Sequence, residues 1–146
     1  MTERIQSLYK THILELAKKA DQPSKPEKYT HELQAYNPLC GDKFVLYLNI
    51  VGDSIQDIGF EGYGCAISKA STVLLTKVLR GKAISQVENL IKLFMELTDE
   101  RSAKSPEELF SEDEFLAFAA ARDFPERRNC ATLAWTELKD QLDELA

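Results

Sequence analysis

The run Phe44-Val45-Leu46-Tyr47-Leu48-Asn49-Ile50-Val51 is followed by Gly52-Asp53 and then by Ser54-Ile55-Gln56-Asp57-Ile58-Gly59-Phe60. The first run is dense in β-branched and aromatic residues, which suit a half-buried pleated surface. Gly52-Asp53 supplies the chemistry of a two-residue turn. In the second run Ile55, Asp57 and Gly59 alternate against Gln56, Ile58 and Phe60, the period of two that marks a strand. The stretch predicts an antiparallel hairpin, and the rest of the chain must be arranged around it.

Upstream, Ile5, Leu8, Tyr9, Ile13, Leu16, Ala17 and Ala20 recur at helical spacing, and Lys18 and Lys19 lie near the end, where the helix dipole favours cations. Residues 21–38 carry Pro23, Pro26 and Pro38 among polar side chains and read as an extended surface connection that delivers the chain to Cys40. Downstream, the helical period resumes from Ala66 to Leu79, with Ala70, Val73, Leu74 and Val78 on one side and Gly81 as a C-cap candidate. Ser85 with Glu88, Ser105 with Glu108 and Ser111 with Glu114 have capping-box spacing, so the region after Gly81 reads as helical but broken. Val87, Leu90, Ile91 and Phe94 form its one long apolar stripe. A last helix begins near Glu126, after Pro125, and runs through Leu133, Ala134, Leu138, Leu142 and Leu145. Helix, small antiparallel sheet, then helices is an α+β order.

At 146 residues the chain can bury a single core without disulfide staples. Three cysteines are an odd number, unlike the even, dense set of a secreted disulfide framework. The net charge of -6 leaves no basic surplus for phosphates and argues against nucleic acid as a partner. It is unevenly placed: Glu96 to Glu126 holds ten acidic and three basic residues, a net of -7, so the remainder sums to +1. The longest apolar stretch, Phe44 to Val51, is too short to span a bilayer, and the opening Met1-Thr-Glu-Arg-Ile-Gln has no apolar targeting core. The expectation is a cytoplasmic protein with no membrane partner.

The chemistry concentrates at the cysteines. Cys40 lies between Pro38 and Gly41, in a turn that presents its thiol, with Asp42 two residues on. Cys65 follows Gly59, Gly62 and Gly64 at the junction of strand and helix, where unpaired backbone N–H groups favour negative charge. Cys130 lies early in the last helix, in a similar field. Read as small core hydrophobes, the three would need no common purpose, and Asp42 would be a solvated turn residue. Read together, Cys40, Asp42, Cys65 and Cys130 make the four-ligand set of a tetrahedral zinc site, although sulfur ligands also suit iron–sulfur clusters. A Cys–His nucleophilic pair would have to use His12 or His31, both of which read as surface residues. Neither phosphate-loop glycine pattern is present, which leaves the glycines a role in tight backbone geometry around Cys65. Trp135, Phe115 and Phe118 read as core.

Asn37-Pro38-Leu39-Cys40-Gly41-Asp42, the segment from Gly59 to Ser71 (GFEGYGCAISKAS) and Arg127-Arg128-Asn129-Cys130-Ala131-Thr132-Leu133-Ala134-Trp135 resemble the three cysteine motifs of the IscU/NifU-type iron–sulfur assembly proteins. The standard scaffold branch carries His before the third cysteine and a Leu-Pro-Pro-Val-Lys docking segment upstream. Here Asn129 and Phe124-Pro125-Glu126-Arg127 stand in those places. With the long stretch between Gly81 and Cys130, these departures are similar to the SufU branch.

That resemblance implies a single IscU/NifU N-terminal-like domain over residues 1–146, with about three antiparallel strands and a helical insertion at about 98–120. It implies Zn2+ held by Cys40, Asp42, Cys65 and Cys130, with iron or a [2Fe-2S] cluster as the alternative. The implied activity is sulfur transfer: Cys40 is the persulfide acceptor, a SufS-like cysteine desulfurase is the donor, and downstream Fe–S scaffold proteins receive the sulfur. The alternatives are a scaffold on which a [2Fe-2S] cluster is built and an adaptor that activates a partner without transfer. Zn2+ with three thiolates and a carboxylate has a formal charge of -2, and Arg127 is the candidate cation to relieve it.

Overall fold

The computed structural model describes residues 2–20, 24–39 and 41–145. The hairpin forms as predicted. Strands β2 (Asp42–Val51) and β3 (Ser54–Tyr63) pair antiparallel across the Gly52-Asp53 turn, where Gly52 takes a φ of +63°. Phe44, Leu46 and Leu48 point to one face and are fully buried, as are Ile55 and Ile58 of the facing strand.

The reading of residues 21–38 as an extended surface connection is corrected over its second half. Pro23 lies outside the described residues, but His31–Asn37 forms a third strand, β1, antiparallel to β2 from His31 opposite Leu48 to Asn37 opposite Asp42. Its inward face has only Leu33 and Ala35, while Glu32, Gln34 and Tyr36 point outward, the thin alternation of an edge strand. Ahead of it, the chain from Ser24 crosses the outer face of the sheet. Ser24 Oγ donates to the Phe60 carbonyl at 2.8 Å and accepts from the Phe60 N–H at 2.9 Å, and the Tyr29 ring meets Tyr47 edge-on at 4.9 Å. A Cβ on Gly59 would collide with the Ser24 carbonyl oxygen, so that close crossing requires glycine.

The N-terminal helix is continuous but not uniform: α1 (Glu3–Leu8), a π-helical turn (Tyr9–Ile13) and α2 (Leu14–Lys19). In a regular α-helix Ile13 would sit about 80° round from Ile5. The wider turn takes up an extra residue and lets Ile5, Ile13 and Leu16 all bury on the core.

Helix α3 (Ala66–Leu79) has the predicted bounds, and Gly81 adopts a left-handed φ of +82°. Its N–H bonds to the Ile55 carbonyl at 2.7 Å, so it ties helix to hairpin rather than closing the helix on itself. Helix α4 (Ile84–Leu97) starts from Ala83, not Ser85. The backbone bridge between Ala83 and Ser54, with the Ile84 N–H on the Asp53 carbonyl at 2.8 Å, fixes that point, and Gln86 Oε1 accepts from the Ala83 N–H at 3.0 Å. At α5 (Pro106–Leu109) the predicted box forms, with the Ser105 N–H on Glu108 Oε2 at 2.6 Å. At α6 (Asp113–Leu116) it does not: Glu114 is engaged by Lys77 Nζ at 2.6 Å, and Glu112 takes the cap position. A 3-10 stretch (Ala117–Arg122) leads into α7 (Pro125–Asp140), which breaks at Gln141 before α8 (Leu142–Leu145).

Helices α3 and α7 close over the inner face of the sheet, and α4 packs against α7 behind them. Trp135 is fully buried and stacks on Phe94 at 4.2 Å, with Phe115 and Phe118 edge-on around the pair. The acidic region is therefore not merely solvated: Phe110, Phe115, Leu116 and Ala117 to Ala121 are buried, and its charges occupy the outer side. Arg122 secures it by donating to the Leu97 carbonyl at 2.8 Å and the Lys104 carbonyl at 2.7 Å. Among the described residues no helix is long and apolar enough to cross a membrane.

Candidate metal centre

Three elements meet at one end of the sheet. Asp42 opens β2, Cys65 is the cap residue ahead of α3, and Cys130 lies in the second turn of α7. One carboxylate oxygen and the two sulfurs all lie within 4.8 Å of one another. Cys40 falls outside the described residues. Its neighbours form the turn that the Pro and Gly predict: the Leu39 N–H is on Asn37 Oδ1 at 3.1 Å, the Gly41 N–H is on the Asn37 carbonyl at 2.8 Å, and Gly41 has a φ of +74°.

The reading of Asp42 as a solvated turn residue fails, since it is 1% exposed. Its Oδ1 accepts the Cys65 N–H at 2.9 Å, at the positive end of a 14-residue helix. That contact requires Gly64, where a Cβ would meet the Asp42 carboxylate at 2.8 Å, the Phe44 ring at 2.9 Å and the Ser68 hydroxyl. Ser68 Oγ in turn lies 3.5 Å from Cys65 Sγ and donates to the Cys65 carbonyl at 3.0 Å. On the other side Ser71 Oγ donates to the Ala131 carbonyl, one residue after Cys130, and accepts from Trp135 Nε1 at 2.9 Å. The helices that carry the two cysteines are thus clamped through a buried polar bridge.

The donor set fits a metal ion. In a tetrahedral zinc site, bond lengths near 2.0–2.3 Å set neighbouring donors about 3.5–3.8 Å apart. The observed spread is about an ångström wider at most. A buried carboxylate beside two thiols also has the excess of negative character that a divalent cation relieves.

Nothing in the sequence marks Tyr9 as a neighbour of the site, because among Ile5, Leu8 and Ile13 it reads as one more residue of the helix's apolar face. It opens the π-helical turn. Burial pushes its phenol pKa up, the Arg127 guanidinium pulls it down and the Cys65 thiol pushes it up, so Tyr9, Arg127 and Cys65 share one electrostatic neighbourhood. Arg127 itself is exposed, at the start of α7. His12 and His31 are half-buried, and neither belongs to the metal group among the described residues. His31 Nδ1 lies 2.7 Å from Thr30 Oγ1.

Residues 8–131 match the sequence profile of the NifU-like N terminal domain. The chain belongs to this family. Within it, the chain is 34% identical over 145 residues to the iron–sulfur cluster assembly scaffold protein IscU of Streptococcus pyogenes serotype M1, a match covering 96% of this chain and 89% of the relative. It is 35% identical over 103 residues to the zinc-dependent sulfurtransferase SufU of Bacillus subtilis, covering 70% and 68%. The crystal structure of FiSufU, assigned to the SUF system of Fervidobacterium islandicum AW-1, superposes with a TM-score of 0.81 at 28% identity over 94% of this chain and 98% of that one. The α+β reading and the IscU/SufU resemblance are both borne out by these matches.

Proposed function

We propose that this chain is a SufU-type sulfurtransferase of iron–sulfur cluster biogenesis that holds Zn2+ and accepts persulfide sulfur from a SufS-like cysteine desulfurase. The observation that carries the reading is the convergence of the Asp42 carboxylate with the Cys65 and Cys130 sulfurs within 4.8 Å of one another, with Asp42 and Cys130 buried and Cys65 half-buried. The similarity to the B. subtilis relative, a zinc-dependent sulfurtransferase, supports it. Asp42, Cys65 and Cys130, with Cys40 as the fourth donor, would hold the ion. When bound, zinc supplies a redox-inert Lewis acid that keeps its thiolates reduced.

The acceptor in this reading is Cys40. Its thiolate attacks the terminal sulfur of the donor's persulfide. A new S–S bond forms at Cys40 as the donor's S–S bond breaks, and the electron pair leaves on the donor's thiolate. Sulfur moves at an unchanged total oxidation level, so no external oxidant or reductant is consumed. Asp42 and the Cys65 N–H hold the base of the site still, and Arg127 lends positive potential at its rim.

The test is metal analysis of protein purified without added metal, followed by mass spectrometry after incubation with desulfurase and cysteine. One equivalent of zinc and a single added sulfur on Cys40 are expected. A brown, oxygen-labile protein would favour the scaffold role carried in the name of the S. pyogenes relative. A Cys40→Ala variant that keeps zinc and still stimulates the desulfurase fully would refute transfer and favour an adaptor.

A further inference from the structure

Beside the metal centre lies a second concavity of about 240 Å3, between the edge strand β1 and the flank of α7. Asn129, Thr132, Leu133, Thr136 and Glu137 line one wall. Their spacings of three and four residues make them a single face of the helix. Pro38 lines the opposite side. Along the chain the pocket adjoins the site: Asn129 directly precedes Cys130, and Pro38 lies two residues before Cys40.

The walls are rich in hydrogen-bonding groups and carry one charge, the Glu137 carboxylate. No Lys or Arg lines the cavity, and among the described residues none forms an ion pair with Glu137. Burial raises the Glu137 pKa and Asp140 raises it further, against a hydrogen bond from Gln141 that lowers it. A partly desolvated carboxylate next to a second acid is a site that a cation relieves. At about 240 Å3 the space falls below the 300–1,000 Å3 range of cofactor and drug-sized pockets, which suits one long side chain.

We infer that this pocket is a docking socket for a Lys or Arg side chain of the protein that delivers the sulfur, with Glu137 as the anchoring charge. The inference rests on the reading of the chain as a sulfur acceptor. It adds where the donor is gripped: a cation seated between β1 and α7 orients the donor while its persulfide faces the neighbouring thiols. The hydroxyls of Thr132 and Thr136 and the amide of Asn129 supply further polar groups around the cation's N–H groups.

Calorimetric titration of a SufS-type cysteine desulfurase into zinc-loaded wild type, Glu137→Gln and Glu137→Lys at two salt concentrations tests this. Charge removal is expected to weaken binding about tenfold and charge reversal more, with a shallower salt dependence in both. Zinc content and thermal stability, measured in parallel, are expected not to fall. If wild type binds and both variants match it in affinity and salt dependence, the socket is refuted while the sulfur-acceptor reading stands. If zinc-loaded wild type binds no desulfurase, both are overturned.

Discussion

Replacing Gly64 by alanine tests the geometry on which the metal centre depends. Gly64 does not have a positive φ, so the substitution brings no left-handed strain, and restricting the unfolded chain would by itself stabilise the protein by about 0.4–1 kcal/mol. The added Cβ, however, enters space already held by the Asp42 carboxylate at 2.8 Å and the Phe44 ring at 2.9 Å. Phe44 is fully buried in the sheet and Asp42 is fixed at the start of β2, so neither can withdraw cheaply. Overpacking costs about 1–3 kcal/mol. Displacing the carboxylate from the Cys65 N–H costs about 1.5–3 kcal/mol as a lost charge-assisted hydrogen bond. After the entropic offset, a net loss of about 1.5–5.5 kcal/mol is expected, which for a chain of this size lowers Tm by about 5–15 °C. Zinc affinity, measured by competition with a chromophoric chelator, should fall as well, because the displaced carboxylate is one of the proposed ligands. Gly52→Ala is the control. It has open space around it but a φ of +63°, so it should lose about 1 kcal/mol and leave zinc affinity unchanged. A Gly64→Ala protein with wild-type Tm and wild-type zinc affinity would refute the packing argument.

Ser71→Ala removes the hydroxyl that joins α3 to the Ala131 carbonyl and leaves the buried Trp135 N–H without its acceptor; a loss of about 1–3 kcal/mol in urea denaturation is expected. Glu137→Gln gives a signed pH effect. The folded-state pKa of Glu137 is raised, so its contribution to stability is fully present at low pH and is lost as pH rises through that pKa. The Gln variant should therefore melt higher than wild type at neutral pH, and the gap should close below the ordinary carboxylate range. A constant gap across a pH series of melting curves would contradict the assignment. Gly59→Ala should loosen the chain that crosses the sheet at Ser24, read as faster amide exchange at Phe60.

Much of the architecture is written locally. The hairpin declares itself because Phe44, Leu46 and Leu48 alternate on a buried face and Gly52 meets the turn's demand for a positive φ. Strand β1 is harder to read, since only Leu33 and Ala35 mark its inner face and prolines lie on both sides. The starts of α4 and α6 follow tertiary contacts instead of capping chemistry: a bridge to Ser54 selects Ala83 over Ser85, and Lys77 draws Glu114 away from Ser111. At the metal centre, Cys65 and its glycines are legible from position alone. Asp42 and Cys130 are not, because they lie 23 and 65 residues from Cys65, and only the packing of sheet against helices brings them near it. Glu137 carries no signal in the sequence at all, since its importance arises from the strand laid beside it.

The Ser71 bridge has a consequence for how the site empties. In a small zinc finger the ion is the fold's fastener, and its departure melts the chain. Here the two sulfurs ride on helices locked to each other and to a tryptophan core, so their spacing is set before any ion arrives. A site framed in this way is expected to act as a socket for the proposed ion, holding its shape whether or not the ion is bound. On the proposed sulfur-transfer reading, exchange of a ligand at its mouth would then run on a rigid frame, with no refolding between one turnover and the next.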